Sequence, residues 1–206
     1  YYIKGHGEPD LEDQKERGYF LLSEAIYSEN IKLNNLVLLD AGKIPEDADA
    51  IILSAPKKAL QEKEHKLIEN YLKAGGSAVF LAEPNTTDDI SKILKAYGIQ
   101  SKNDIVIDQI SGLAGANNSL GVQPMVTNYG AHPIASDFKE GTLFYTASSM
   151  SASVEGRARK NVSELAFSSQ KSWAENDIAQ IFSDKPKAKL DFQDEKGPIS
   201  IAAAYS

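Results

Sequence analysis

His6 and Glu8 are the residues of this chain best placed to do chemistry. They stand two apart in Lys4-Gly5-His6-Gly7-Glu8, directly after an apparent strand. From a loop, both side chains can face one pocket, as a base and a hydrogen-bond acceptor. The competing reading is structural: His6 bonds a neighbouring backbone group while Glu8 supports a helix N-terminus, and no third group in the sequence completes a catalytic set. Ser54 and Glu83, each at the end of an apolar run, could hydrogen-bond a sugar hydroxyl. Trp173, the sole tryptophan, could stack on a sugar ring, although a lone Trp beside a strand usually packs. His65, in Gln61-Glu62-Lys63-Glu64-His65-Lys66, reads as a solvated helix residue, and His132 as structural, since Pro133 fixes an extended conformation before it.

Other chemistries lack support. Gly5-x-Gly7 between a strand and a helix has part of a dinucleotide fingerprint, but Asp10 stands where the third glycine belongs. Glu8, Asp10, Glu12 and Asp13 also crowd the helix N-terminus, where a pyrophosphate would need free amides and no like charge. No Gly-x-x-x-x-Gly-Lys-Ser/Thr, HExxH or Asp-rich calcium loop occurs, so the sequence supports neither a P-loop ATPase nor a metal site, and implies no cofactor. Ser168 and Lys171 match a catalytic Ser-x-x-Lys only in spacing. With no cysteine there is no disulfide, thiolate ligand or cysteine nucleophile. A formal charge of -7 disfavours nucleic acid, and the short basic cluster Arg157 to Lys160 reads as a solvated loop.

The elements that must position His6 and Glu8 form an α/β pattern. Short continuous apolar runs near residues 1–4, 36–39, 50–54 and 78–82 alternate with helices, as strands of a parallel sheet buried on both faces do. The first helix is expected near Leu11 to Ser28, capped by Asp10, with Leu11, Gly18, Tyr19, Leu22 and Ile26 on one face. The second, about Leu60 to Ala74, puts Leu60, Leu67, Ile68, Tyr71 and Leu72 on one stripe and stops at Gly75-Gly76. Its wet side carries the i,i+4 pairs Glu62 with Lys66 and Glu69 with Lys73. A third helix starts after Thr87 and stops at Gly98. Ligands of such sheets sit beyond the carboxyl ends of the strands, here Gly5 to Glu8, Asp40 to Gly42, Ser54 to Pro56 and Ala82 to Pro84. If His6, Glu8, Ser54 and Glu83 converge there, their donors and acceptors suit a neutral polyhydroxyl ligand better than a phosphate.

The second half is looser and strand-rich. Strands are expected at Asp104 to Asp108, Thr142 to Ala147, around Leu165 and Phe167, and at Ile199 to Tyr205, where apolar residues alternate. Ser111 to Gly121 has a loop composition. We expect one α/β domain over 1–206, interrupted by an irregular insertion about 109–160. The chain opens at Tyr1 inside a strand without an initiator Met, so we read it as part of a longer protein whose membrane anchor lies elsewhere.

Several segments together resemble a family. Lys4 to Glu8, Ala48-Asp-Ala-Ile-Ile-Leu-Ser-Ala-Pro56, Ile68-Glu-Asn-Tyr-Leu-Lys-Ala-Gly-Gly76 and Ala78 to Pro84 are similar to the auxiliary ABC-transport proteins, including the GldG-like gliding-motility components. His132-Pro-Ile, Ser169-Gln-Lys-Ser-Trp173 and Lys196-Gly-Pro-Ile-Ser-Ile-Ala202 extend the resemblance over nearly the whole chain. It implies an extracytoplasmic (periplasmic) domain of a membrane-anchored protein working beside an ABC permease and ATPase. It also implies a three-layer, mainly parallel fold like the class I glutamine amidotransferases and flavodoxins, and like the sugar-related domain of an intraflagellar transport protein. Those amidotransferases need a nucleophilic cysteine, which is missing, so their activity does not carry over. The expected function is non-catalytic binding of a substrate, with carbohydrate as the first ligand class, or of partner subunits. The alternatives are a glycan or peptide hydrolase acting through His6 and Glu8, and a purely structural assembly module.

Overall fold

A computed structural model describes residues 1–110, 120–153 and 161–206. The chain divides into two compact units: Tyr1–Ala82 with Thr86–Ile93, and Glu83–Asn85 with Leu94–Ser206. The first holds a parallel four-stranded sheet and the second holds antiparallel sheets, so the protein is mixed α/β.

In the first unit, β1 (Tyr2–Lys4), β2 (Asn35–Val37), β3 (Ala50–Ser54) and β4 (Ser77–Leu81) are ordered β2-β1-β3-β4. Every pairing among them is parallel, as expected from apolar runs joined by helical crossovers. The central strands carry the fully buried Tyr2, Ile3, Ile51 and Leu53. Helix α3 (Glu62–Lys73) lies near its expected place, with Ile68 buried and with Lys66–Glu62 and Lys73–Glu69 ion pairs on its exposed side. Leu67, Tyr71 and Leu72 are only half-buried, so the expected stripe is narrower than its sequence spacing suggests.

Two boundaries differ from the sequence reading. Helix α1 spans Phe20–Ser28 and does not begin at Leu11. Asp10 instead closes local turns: its side chain accepts from the Glu12 amide at 2.8 Å and its carbonyl from the Tyr19 amide at 2.8 Å. Asp13 likewise accepts from the Lys15 amide. Such Asp-to-backbone bonds compete with helix formation. Leu11 still packs, forming a small core with Tyr2 and Leu33, flanked by Tyr19 and Ile26. The second difference is at Leu38-Leu39, which leave the strand for a short helix α2 (Leu38–Ala41). That turn buries Leu38 completely and ends at Gly42, whose φ of 67° few other residues adopt easily.

Helix α4 (Asp89–Lys95) follows the first unit's sheet, as expected for a helix beginning after Thr87. The second unit then runs β5 (Ile99–Ser101), β6 (Ile105–Asp108), β7 (Met125–Val126), β8 (Asn128–Tyr129), β9 (Thr142–Leu143), β10 (Met150–Ala152), β11 (Val162–Phe167), β12 (Ser172–Glu175), α5 (Ile178–Ile181), β13 (Glu195–Lys196) and β14 (Ser200–Tyr205). These strands form the antiparallel groups β14-β11-β8, β13-β12-β6, β10-β5 and β7-β9. One core joins Val106, Val126, Ala166, Ala174, Ile199 and Ile201. A second joins Ile105, Ile107, Trp173 and Ile181. The strand expected over Thr142 to Ala147 is limited to β9, and Thr146 there has a φ of 55°, which breaks an extended run. Of the expected insertion about 109–160, residues 111–119 and 154–160 lie outside the described residues, and with them most of Ser111 to Gly121 and the cluster Arg157 to Lys160.

Candidate functional site

The loop after β1 is shaped by two glycines. Gly5 has φ 125° and Gly7 has φ 82°, and a Cβ on Gly7 would stand 3.3 Å from the Lys57 side chain. Glycine permits both the left-handed backbone and the close approach. The His6 carbonyl, held between them, accepts from the Lys57 and Lys58 amides at 2.8 and 2.9 Å. This ties the carboxyl end of β1 to the segment that follows β3.

The His6 ring lies between two carboxylates. Its Nε2 is 3.0 Å from Glu64 Oε2, and its Nδ1 is 3.4 Å from Glu8 Oε1. Glu8 Oε2 also accepts from the His6 amide at 2.7 Å. Glu64 comes from the first turn of α3, where its Oε2 accepts from the Gln61 amide at 2.9 Å, one half of a capping box. His6 is 6% exposed, and the side chains of Glu8 and Glu64 are 1% and 0% exposed. Among the described residues, His6 Nδ1, Glu8 Oε1 and Glu64 Oε1 make no hydrogen bond. Charges this deep need partners, and here each carboxylate faces the imidazole. The arrangement clamps the β1 loop onto the start of α3. Both ring nitrogens face buried carboxylates, so neither points to solvent, where a substrate proton would be.

A second histidine departs from expectation. His65 is not a solvated helix residue: its Nε2 is 2.7 Å from Asp89 Oδ1, and the Leu60 amide donates to Asp89 Oδ2 at 3.2 Å. Burial works to raise the Asp89 carboxyl, but the nearby Thr87 hydroxyl and the hydrogen bonds to the His65 ring and the Leu60 amide outweigh it and hold Asp89 below its ordinary value. A carboxylate lowered in the folded state stabilises above the ordinary value of 3.8, and that contribution is lost as pH falls through the folded-state value. Asp89→Asn is therefore expected to cost about 1.5–3 kcal/mol at neutral pH. The gap between the two proteins should narrow as pH drops below 3.8. Urea unfolding at several pH values checks this, and a gap independent of pH would contradict it.

Of the residues singled out in the sequence, the structure brings together His6 and Glu8. Ser54 is buried at the end of β3, where its hydroxyl meets the Tyr19 hydroxyl at 2.7 Å. Glu83 is exposed just after β4 and falls within the second unit. Trp173 is 4% exposed, sits in that unit's core with Ile105 and Ile107, and has its Nε1 3.3 Å from Glu175 Oε2. His132 is structural in position, its Nδ1 accepting from the Ile134 amide at 3.2 Å. Ser168 is buried and bonded to Ser172 and to the Ile199 backbone. Sequence reasoning missed Glu64 and Asp89. The available signal for Glu64 was the spacing Gln61-x-x-Glu64 at a helix start, which marks a capping carboxylate although not its histidine partner.

Among the described residues, no group of three His, Asp or Glu side chains is placed to hold a metal ion, and no helix is long and apolar enough to cross a membrane. No curated protein sequence matches the chain. The solved structure of the mmIFT52 N-terminal domain is similar, with a TM-score of 0.59 at 16% identity, covering 84% of this chain and 79% of that one. At such identity the likeness bears on the fold alone. The family described as an ABC-type uncharacterized transport system, the auxiliary group, matches residues 1–206. An α/β chain matched from end to end in this way belongs to the auxiliary family of ABC-type transport systems.

Proposed function

We propose that this chain is a non-catalytic, extracytoplasmic binding domain of an ABC-type transport system. In this reading it is GldG-like, belongs to a membrane-anchored protein, and works beside the permease and ATPase subunits. Family membership supports the transport setting and points to a non-enzymatic role. The observation that carries the non-catalytic part is the closure of His6 between Glu8 and Glu64. A general base must reach the proton it removes, and this imidazole is buried, with Nε2 bonded to Glu64 and Nδ1 facing Glu8 at 3.4 Å. The strand order β2-β1-β3-β4 supports placing the first unit with the flavodoxin-like and class I glutamine amidotransferase-like folds. The missing cysteine argues against glutaminase chemistry.

For a small ligand, the reading favours a neutral carbohydrate over an anion, because the chain carries 29 acidic against 22 basic residues and acids crowd the loop after β1. Incubation of the purified protein with glycans and peptides is expected to yield no cleavage product. Calorimetry against neutral sugars, nucleotides and sugar phosphates should show weak sugar binding or none. Turnover abolished by His6→Gln would overturn the non-catalytic reading. Tight nucleotide binding would overturn the ligand class.

A further inference from the structure

We propose that a cavity in the second unit binds one ring of a neutral carbohydrate. The cavity has a volume of about 180 Å³ and is lined from β7 and β8, the end of β11, the turn that follows it, and the link between β13 and β14. Drug-sized ligands fill pockets of roughly 300–1,000 Å³, so this space suits a single small ring.

The lining selects the ligand. Although 25% of the chain is charged, no charged side chain lines the cavity among the described residues. An ion would enter without a counter-charge, which disfavours phosphates, carboxylates and amines alike. Met125, Phe167 and Pro198 supply apolar surface, while Thr127, Asn128 and Gln170 supply a hydroxyl and two amides. Asn128 and Phe167 stand directly opposite each other in the β8–β11 ladder, so their side chains project from one face of it. A sugar hydroxyl both donates and accepts, as do amide side chains and threonine, and the C–H face of the ring matches the apolar residues. An uncharged peptide strand would instead need a row of backbone partners, and the free groups here are side chains.

The wall is built before a ligand arrives. The Ser169 amide and hydroxyl donate to the Asp108 carboxylate at 3.0 and 2.8 Å. The Ser168 hydroxyl accepts from the Ile199 amide at 2.9 Å and meets the Ser172 hydroxyl at 2.7 Å. The Gly197 amide donates to the Ser172 carbonyl at 2.8 Å, and a Cβ at Gly197 would collide with the Ser172 hydroxyl, so glycine lets the two segments come this close. These bonds hold the turn that carries Gln170 against the link that carries Pro198, and they commit both serines of the lining. The side chains of Thr127, Asn128 and Gln170 belong to exposed residues and have no hydrogen-bond partner among the described residues, so three polar groups remain for a ligand. The ligand class is the one proposed above, and this site rests on that reading while placing the ligand in the second unit and not at the loop after β1.

The test is an amide NMR titration of the 206-residue protein with glucose, galactose, mannose and N-acetylglucosamine, alongside glucose 6-phosphate and a blocked alanine tripeptide. At least one neutral sugar is expected to move the side-chain amide signals of Asn128 and Gln170 and the backbone signals of residues 167–170. The double variant Asn128→Ala with Gln170→Ala should weaken that binding on the order of 10-fold, as for two neutral hydrogen bonds. Both residues are exposed, so the variant is expected to fold, and a backbone spectrum like the parent's checks this. Glucose 6-phosphate should bind no better than glucose. Absence of shifts with all four sugars would overturn the site and leave the non-catalytic transport reading standing. Shifts confined to the loop after β1, or sugar binding unaffected by the double variant, would overturn the location and keep the ligand class. Binding of the peptide alone would overturn the carbohydrate assignment.

Discussion

Glu64→Ala is expected to lower the unfolding free energy by about 2–4 kcal/mol, as for losing the hydrogen bonds of a buried carboxylate and leaving their donors without an acceptor. Glu64 is fully buried, and its Oε2 serves both the His6 ring and the Gln61 amide. Truncation leaves a buried imidazole with Glu8 alone and an uncapped amide at the start of α3. Glu64→Gln retains an acceptor for that amide, so its loss should be smaller. Urea denaturation of the three proteins measures this. A loss below about 1 kcal/mol in Glu64→Ala would mean that the cluster does not clamp the β1 loop to α3.

Ile68→Ala is expected to destabilise by about 2–5 kcal/mol, as for other large-to-small changes at filled core positions. Ile68 has no exposed surface and lies one turn beyond Glu64 on the same helix face. Leu67→Ala and Leu72→Ala should cost less, because both side chains are half-buried and leave smaller cavities. Lys66→Ala should fall within about 0.5 kcal/mol of the parent, its partner Glu62 being an exposed residue. Denaturation curves rank the four. Equal losses at Ile68 and Lys66 would show that α3 buries a different face.

The parallel sheet was legible because Leu36-Val37 and Ile51-Ile52-Leu53 are continuous apolar runs alternating with helices. The expected burial on both faces is not met, since Val37 of β2 and Val79 of β4 are exposed. The start of α1 was not legible, because an Asp before an apolar run signals a cap equally well whether it caps a helix or closes an isolated turn, as Asp10 does. Glu64 and His6 meet across 58 residues, and neither residue's own neighbours reveal the other. The site's third member was therefore hidden even though His6 and Glu8 were plain. His65 was misread for the same reason, since its partner Asp89 is 24 positions away. In the second unit, β7, β8, β9 and β13 have two residues each, too few to show an alternating period. Trp173 packs as a lone Trp beside a strand is expected to, but its sheet neighbours Ile107 and Lys196 are distant in sequence and could not be named from it.

The central proposal is that this chain serves an ABC transport system by binding its components. Affinity purification of the tagged protein from detergent-treated extracts of its native cells, followed by identification of what accompanies it, tests that proposal most directly. An ABC permease and its ATPase should copurify. Recovery of neither subunit would contradict the account.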